Sequence, residues 1–195
     1  MTNSRDVRAR LADHPLRAAR LILGSVLEVG PVRARIVEVE AYGSPEGGRW
    51  PDPAAHTYPG PTPRNEVMFG PAGHLYVYLS CGIHQCVNIT AGPDGEGGGV
   101  LLRAAAIESG VDLVRERRAV RDPDARLAAG PGRLGQALGI TVADKGIDVL
   151  RPFSEVRLEI AARRGPVAAG PRIGITKAVD LPWRLWLAGH PSVSR

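Results

Sequence analysis

The octapeptide R-I-V-E-V-E-A-Y, residues 35–42, predicts a β-strand that carries two carboxylates on one face. Its β-branched residues alternate with other residues at period two, which is typical of a strand. Successive side chains of a strand point to opposite faces of the sheet. One face therefore holds Val37, Val39 and Ala41, and the other holds Ile36, Glu38, Glu40 and Tyr42.

The two glutamates of this strand receive different interpretations. A buried carboxylate is costly unless it is paired or hydrogen-bonded. For Glu38 we favour an edge strand whose second face is wet, because glutamate is rarely fully buried. Glu40 stands at the strand end, before Tyr42 and a loop. Catalytic pockets are commonly built where a strand ends in a carboxylate and is followed by a loop with an aromatic residue.

The composition indicates a globular chain with a positive charge. Its 195 residues, 44% of them hydrophobic, suit one domain or one domain with an extension. The formal net charge of +5 favours a polyanionic partner. Lys145 and Lys177 are the only lysines, so nearly all of the positive residues are arginines. The planar guanidinium of arginine can form two parallel hydrogen bonds to phosphate oxygens. A biased genome composition explains the arginine excess at least equally well.

No hydrophobic run of transmembrane length is present, and the charged N-terminus lacks the apolar core of a signal peptide. We therefore expect a cytoplasmic protein with no membrane partner, nucleoid-associated if bacterial, whose Cys81 and Cys86 are free thiols. His74, Cys81, His84 and Cys86 match no common zinc spacing. We expect no metal and no other cofactor.

The first half of the chain predicts a helix, strands and a hairpin around one long loop. We expect a flexible N-terminus over residues 1–12 and a single domain over residues 13–195. A helix with Asp13 or His14 as its cap ends near Gly24, and a strand covers Val26–Val29. Residues 43–63 are rich in Gly and Pro and predict a long functional loop. His74–Ile89 predicts a β-hairpin whose two-residue turn, Cys81-Gly82, pairs Ser80 with Ile83.

The second half mixes helices and strands without a βαβ rhythm. It predicts strands at Val100–Arg103, Glu155–Ala162, Arg172–Thr176 and Leu185–Ala188, and helices at Ala104–Val120 and Pro131–Leu138. Because hairpins dominate, we expect an α+β domain with a mostly antiparallel sheet.

One constellation contains the residue types that catalysis on a nucleobase needs. Neither a Walker phosphate loop nor a G-x-S-x-G elbow occurs in the sequence. Glutamate, histidine and arginine serve as acids, bases and charge stabilisers, and tyrosines stack on bases. Singly, each residue also suits a core, loop or surface role. The members are Glu40, Tyr42, His56, Tyr76, Tyr78, Asn88 and Arg103.

Taken together, the motifs of the chain resemble those of the alkyladenine (3-methyladenine) DNA glycosylase family. They occur in family order and cover most of the chain from about Leu16 onward. The matching segments are R-I-V-E-V-E-A-Y (35–42), A-A-H (54–56), T-P-R-N-E-V-M-F (62–69), G-H-L-Y-V-Y (73–78), C-V-N-I (86–89), V-L-L-R-A (100–104), A-G-P-G-R-L-G-Q-A-L-G-I (129–140) and H-P-S-V-S-R (190–195).

The resemblance implies a single domain with a curved sheet flanked by helices and a protruding β-hairpin for DNA. It implies an enzyme of base excision repair that flips a damaged purine out of duplex DNA and excises it. Glu40 would activate water, and Arg103 would help to hold it. The base would lie between Tyr42 and His56 on one face and Tyr78 on the other. Asn88 would line the pocket floor and disfavour the 2-amino group of guanine.

The resemblance also assigns a DNA-contacting surface to the hairpin. A tyrosine of the family fills the gap left by the flipped nucleotide, and Cys81 stands at that position, with Ile83 and His84 as alternative wedges. Arg133 at a helix start and Arg64 are candidate phosphate contacts.

Three departures from the family pattern are Cys81, Pro61 before T-P-R-N, and A-A-A-I after Arg103 in place of L-E-P. The predicted two-residue turn puts Tyr78 and Asn88 on opposite faces, so a shared pocket requires a bulge or bend.

We expect a monomeric, monofunctional glycosylase acting on alkylated or deaminated purines in double-stranded DNA. Strand cleavage would need an amine nucleophile, and both lysines lie outside the matching motifs. Two alternatives remain open. One is a catalytically weak or inactive nucleic-acid-binding relative of the family, and the other is a nucleoside hydrolase.

Overall fold

The computed structural model describes residues 3–162 and 165–194 as one compact α+β domain. Its centre is an eight-stranded antiparallel sheet in the order β3-β4-β5-β2-β1-β6, with β8 paired to β2 and β7 paired to β8. The strands are β1 (Val26–Val29), β2 (Val32–Tyr42), β3 (Leu75–Ser80), β4 (His84–Thr90), β5 (Gly99–Ser109), β6 (Val156–Glu159), β7 (Val167–Gly170) and β8 (Arg184–Leu187). The predicted fold class and antiparallel pairing are confirmed.

Four α-helices flank the sheet within the described residues: α1 (Ser4–Leu11), α2 (Pro15–Ile22), α3 (Val111–Arg118) and α4 (Pro131–Leu138). None of the described helices is long and apolar enough to cross a membrane. Helix α2 begins after His14, whose Nδ1 accepts a hydrogen bond from the amide of Leu16 at 3.0 Å. Of the two cap residues that the sequence allows, Asp13 and His14, the structure uses His14.

Helix α1 occupies most of the segment for which the sequence predicts a flexible terminus. Its Val7 and Leu11 belong to the hydrophobic core, and Arg8 forms a 2.8 Å ion pair with Asp148. Two apolar side chains, one turn apart, thus connect α1 to the core. Residues 1 and 2 of that segment lie outside the described residues, as do residues 163, 164 and 195 of the predicted domain.

Strand β2 lies inside the sheet, so the prediction of a wet edge strand for Glu38 is wrong. It pairs with β5 along one side and with β1 and β8 along the other. Glu38 is fully buried between its neighbours Ala104 and Trp186. An alternating pattern identified the face that carries Glu38, but it could not show what covers that face.

Strand β5 extends to Ser109, whereas the sequence predicts a helix from Ala104 to Val120. The alanine-rich stretch pairs with residues 33–38 of β2, and this tertiary pairing overrides the helix propensity of alanine. The chain turns at Gly110, which has a φ of 76°. A Cβ added to Gly110 would lie 3.0 Å from the Cα of Val32, the first residue of β2. Only then does α3 begin.

The hairpin of β3 and β4 has a three-residue loop, and the predicted two-residue turn is wrong. Ser80 pairs with His84, Tyr78 with Cys86, and Tyr76 with Asn88. The extra residue places Tyr76, Tyr78, Cys86 and Asn88 on one face of the hairpin. A shared pocket for Tyr78 and Asn88 therefore needs no bulge within the hairpin.

The segment Arg172–Thr176 forms no strand, although its sequence predicts one. The structure has β7 at Val167–Gly170 instead, paired with β8. The amide of Ile173 donates to the side chain of Glu40 at 2.7 Å, and Arg172 is held in an ion pair. These contacts hold the segment irregular against the end of β2.

Candidate active site

A cavity of about 520 Å³ lies where β2, the hairpin, β5 and the loop after β2 meet. Five residues that the resemblance assigns to the site line this cavity: Tyr42, His56, Tyr78, Asn88 and Arg103. Glu40 lies behind the lining, is fully buried, and contacts Tyr42, Arg103 and Ile173 of the wall.

The carboxylate of Glu40 accepts two hydrogen bonds and forms one ion pair. Tyr42 donates its hydroxyl to Oε2 at 2.8 Å, and the amide of Ile173 donates to Oε1 at 2.7 Å. The guanidinium of Arg103 forms an ion pair with Oε1 at 3.3 Å. Each carboxylate oxygen can accept two hydrogen bonds. Oε2 accepts from Tyr42 and therefore has room for one further donor.

Arg103 joins the two buried glutamates of β2. Its Nε donates to Oε1 of Glu38 at 3.1 Å, while its Nη1 pairs with Glu40. Glu38 also accepts from Nε of Arg184 at 2.6 Å and from the amide of Ser194 at 2.7 Å. Arg103 lies at a register irregularity between β2 and β5, and such irregularities re-aim side chains near active sites. Glu38 thus helps to hold the guanidinium of Arg103 in position.

His56, Tyr76 and Tyr78 form an aromatic cluster in the cavity. The ring centroids of His56 and Tyr78 are 4.6 Å apart with planes at 77°, and Nδ1 of His56 lies 2.9 Å from the hydroxyl of Tyr76. Arg64 places its guanidinium 5.4 Å above the ring of Tyr78. Two rings in edge-to-face contact leave no space for a base between them, so a base that stacks there must separate them.

The ionisation of these rings follows from their surroundings. Desolvation by the pocket wall and the positive charge of Arg64 lower the pKa of His56 from its ordinary value. His56 is therefore neutral at pH 7. Burial, and then the negative charge of Glu40, raise the pKa of Tyr42 far above its ordinary value, and burial raises the pKa of Tyr78. Both phenols remain protonated donors at neutral pH.

Asn88 presents its carbonyl oxygen to the cavity. Its amide nitrogen donates to the backbone carbonyls of Tyr76 at 3.1 Å and Cys86 at 3.4 Å. Since both amide hydrogens are used by the hairpin, the free polar atom of the side chain is an acceptor.

The hairpin tip lies apart from the cavity lining. Cys81, with a φ of 50°, is exposed and free, Ile83 is 72% exposed, and His84 is exposed. Helix α4 packs directly on β4, and Gly135 allows this close approach. A Cβ added to Gly135 would lie 2.1 Å from the carbonyl oxygen of Gln85. Arg133 in the first turn of α4 therefore lies near the tip, and the two share one end of the molecule.

Two parts of the site were missed by reasoning from the sequence. Residues 173–177, including Lys177, line the cavity, whereas the sequence predicts a strand at Arg172–Thr176. Asp52 and Arg172 form a fully buried ion pair beside Tyr42. Asp52 stands in the Pro-rich loop four residues before His56, and no local pattern links it to Arg172.

The described residues hold no group of three or more His, Cys, Asp or Glu side chains that could bind a metal ion.

A family model described as methylpurine-DNA glycosylase (MPG) matches residues 9–191. The chain belongs to this family, as its motifs indicate. It is 57% identical over 180 residues to a protein of Mycobacterium sp. (strain KMS), covering 92% of this chain and 88% of that protein. It is 55% identical over 180 residues to one of Rhodococcus jostii (strain RHA1), covering 92% and 80%. Both relatives carry the name "Putative 3-methyladenine DNA glycosylase".

Proposed function

We propose that the protein is a monofunctional DNA glycosylase of base excision repair. It flips a damaged purine nucleotide out of duplex DNA and hydrolyses the bond between the base and C1′ of the deoxyribose. Water attacks C1′, Glu40 takes the proton of the water, and the bonding electron pair leaves with the base. The substrates are alkylated purines, and also deaminated ones such as hypoxanthine.

The observation that carries this proposal is the environment of Glu40. Tyr42 and the amide of Ile173 donate to its carboxylate, Arg103 pairs with it, and Oε2 keeps the capacity to accept from a water. A general base must lie within hydrogen-bond reach of the proton that it abstracts. Arg103, which lines the cavity beside Glu40, supplies a donor that can hold the same water.

The aromatic cluster suits a damaged purine. An N-alkylated purine is cationic and leaves as a neutral base, so it needs little help beyond a well-placed water. A cationic base is attracted to the faces of Tyr42 and Tyr78. His56 does not oppose this attraction, because its lowered pKa keeps its ring neutral at pH 7.

The hairpin tip and the basic residues near the cavity suit a duplex better than a free nucleoside. Arg64 and Lys177 lie at the cavity, and Arg133 lies near the exposed tip. A nucleoside hydrolase needs neither these charges nor a projecting loop. An exposed tip can enter the stack where the nucleotide has left, which offsets part of the cost of extrusion.

Excision assays on lesion duplexes test the proposal. Duplexes with one hypoxanthine or one methylated purine should show strand cleavage only after alkali, which breaks the abasic product. Free nucleosides should be hydrolysed far more slowly. Lack of excision on every lesion would favour an inactive binding relative of the family.

A borohydride trap tests whether the enzyme is monofunctional, because Lys177 lines the cavity and is an amine. Reduction during the reaction should yield no covalent enzyme–DNA adduct. An adduct that Lys177→Ala abolishes would instead identify a bifunctional enzyme.

A further inference from the structure

The salt bridge between Asp52 and Arg172 is the most deeply buried ion pair beside the cavity. Both side chains have 0% exposure. The guanidinium and the carboxylate meet in two hydrogen bonds, Nη1–Oδ2 at 2.5 Å and Nη2–Oδ1 at 2.9 Å. This bidentate geometry fixes the relative orientation of the two groups.

The pair ties three separate parts of the chain together. Asp52 also accepts from the amides of Gly43 at 3.0 Å and Ala54 at 3.1 Å, in the loop that carries His56. Arg172 donates to the carbonyl of Ala41 at 3.0 Å, at the end of β2, and to that of Ala178 at 3.4 Å. One pair of charges thus holds the strand end, the loop and the segment after β7.

The two groups that hydrogen-bond to Glu40 are both adjacent to this pair. Ile173, which follows Arg172 in the chain, donates its amide to Glu40 at 2.7 Å. Tyr42, whose ring lies 4.7 Å from the guanidinium of Arg172, donates its hydroxyl to Glu40 at 2.8 Å. Arg172 therefore fixes both the amide and the ring from which Glu40 receives hydrogen bonds.

Stability alone does not account for such a pair. Removing two charges from water is costly, and well-packed apolar residues of similar volume often stabilise a fold as well or better. Precise placement of a reacting group, by contrast, has a large effect on rate, and a displacement of 1 Å can cost about 100-fold.

We propose that Asp52 and Arg172 are positioning residues for the glycosylase reaction, which hold Ile173 and Tyr42 against the carboxylate of Glu40. The inference rests on the proposed role of Glu40 as the general base. It predicts a loss of the chemical step and not of DNA binding, because the side chains of Asp52 and Arg172 are fully buried and not available to contact DNA.

Asp52→Asn is the direct test, since it keeps the shape of the side chain and removes the charge. Single-turnover excision of a lesion duplex should show a maximal rate lowered by about 10- to 100-fold. The DNA concentration that gives half of the maximal rate should remain that of the unaltered protein. Rates are measured well below the melting temperature of each variant and are divided by the folded fraction. If Asp52→Asn does not fold, Arg172→Lys, which keeps the charge but loses the fork, replaces it.

Asp148→Asn is the matched control. Asp148 is 12% exposed, accepts from Arg8 at 2.8 Å, and lines a different cavity. Its variant should keep the full maximal rate per folded molecule. An unchanged maximal rate in folded Asp52→Asn, or an equal loss in Asp148→Asn, overturns the inference.

Glu40→Gln in the same assay separates the two proposals. Near-normal excision by Glu40→Gln would overturn the role of Glu40 and the premise of the inference. An inactive Glu40→Gln beside a fully active Asp52→Asn would overturn the inference alone.

Discussion

Replacing Glu38 by glutamine should destabilise the protein and slow excision, because Glu38 satisfies two arginines and one amide inside the protein. It is 0% exposed, and its partners Arg103 and Arg184 are 8% and 16% exposed. Glutamine has the same shape, but it removes the charge and turns one acceptor into a donor. That donor must face Ser194 N or a guanidinium N–H. Breaking a buried pair in this way costs about 3–5 kcal/mol.

The same substitution at Glu28 supplies a matched control. Glu28 also bridges two arginines, Arg33 and Arg157, but they are 38% and 49% exposed. Partly solvated pairs of this kind contribute about 0–1 kcal/mol. Free energies of unfolding from urea titrations, followed by the fluorescence of the three tryptophans, should therefore separate the two variants by at least about 2 kcal/mol.

The effect on activity follows from Arg103. Without Glu38, its guanidinium has only Glu40 as a charged partner and should shift toward it, which occupies the acceptor site proposed for water. The single-turnover rate per folded molecule should fall in Glu38→Gln and stay unchanged in Glu28→Gln. Equal stability losses in the two variants, with equal rates, would refute the reasoning.

The remaining predictions concern DNA binding and acid stability. Cys81→Tyr should tighten binding of lesion duplex and speed excision of well-paired lesions more than mismatched ones, whereas Cys81→Ala should change little; loss of activity in the folded alanine variant would contradict this. Affinity for undamaged duplex should fall steeply with salt, and Arg133→Gln should reduce the log–log slope by about one, measured by fluorescence anisotropy. Burial raises the pKa of Asp52, but hydrogen bonds from Arg172 and Gly43 outweigh it, and the net pKa is lowered. The charge of Asp52 therefore stabilises the fold above about pH 4 and ceases to do so as pH falls through the lowered pKa, so the difference in unfolding free energy between wild type and Asp52→Asn should shrink in acid. A difference that is constant from pH 6 to acid would contradict the assignment.

Local patterns predict the elements whose boundaries are set by local chemistry. The period of residues 35–42 identifies β2, and the Gly130-Pro131 start with Gly139 at the end gives α4 its observed bounds. They fail where partners distant in sequence decide the outcome. Residues 104–109 form a strand because β2 pairs with them. The hairpin loop has three residues, whereas its Cys-Gly dipeptide predicts a two-residue turn.

The candidate site follows the same division. The resemblance to the family places Tyr42, His56, Tyr78, Asn88 and Arg103, and all five line one cavity. The two buried carboxylates that support the site could not be recognised, since Glu38 meets Arg184 across 146 residues and Asp52 meets Arg172 across 120. Sequence spacing holds no information about such long-range pairing. The cost of burying a charge indicates that a buried carboxylate needs a partner, but only the fold identifies that partner.

Single-turnover excision by Glu40→Gln tests the central claim most directly. Glutamine keeps the shape of Glu40 and can still accept from Tyr42 or Ile173, but it cannot take a proton from water. A positioned general base contributes about 10²- to 10⁴-fold, so excision should fall by that factor while binding of lesion duplex persists. Excision at a near-normal rate by the folded variant would contradict the account.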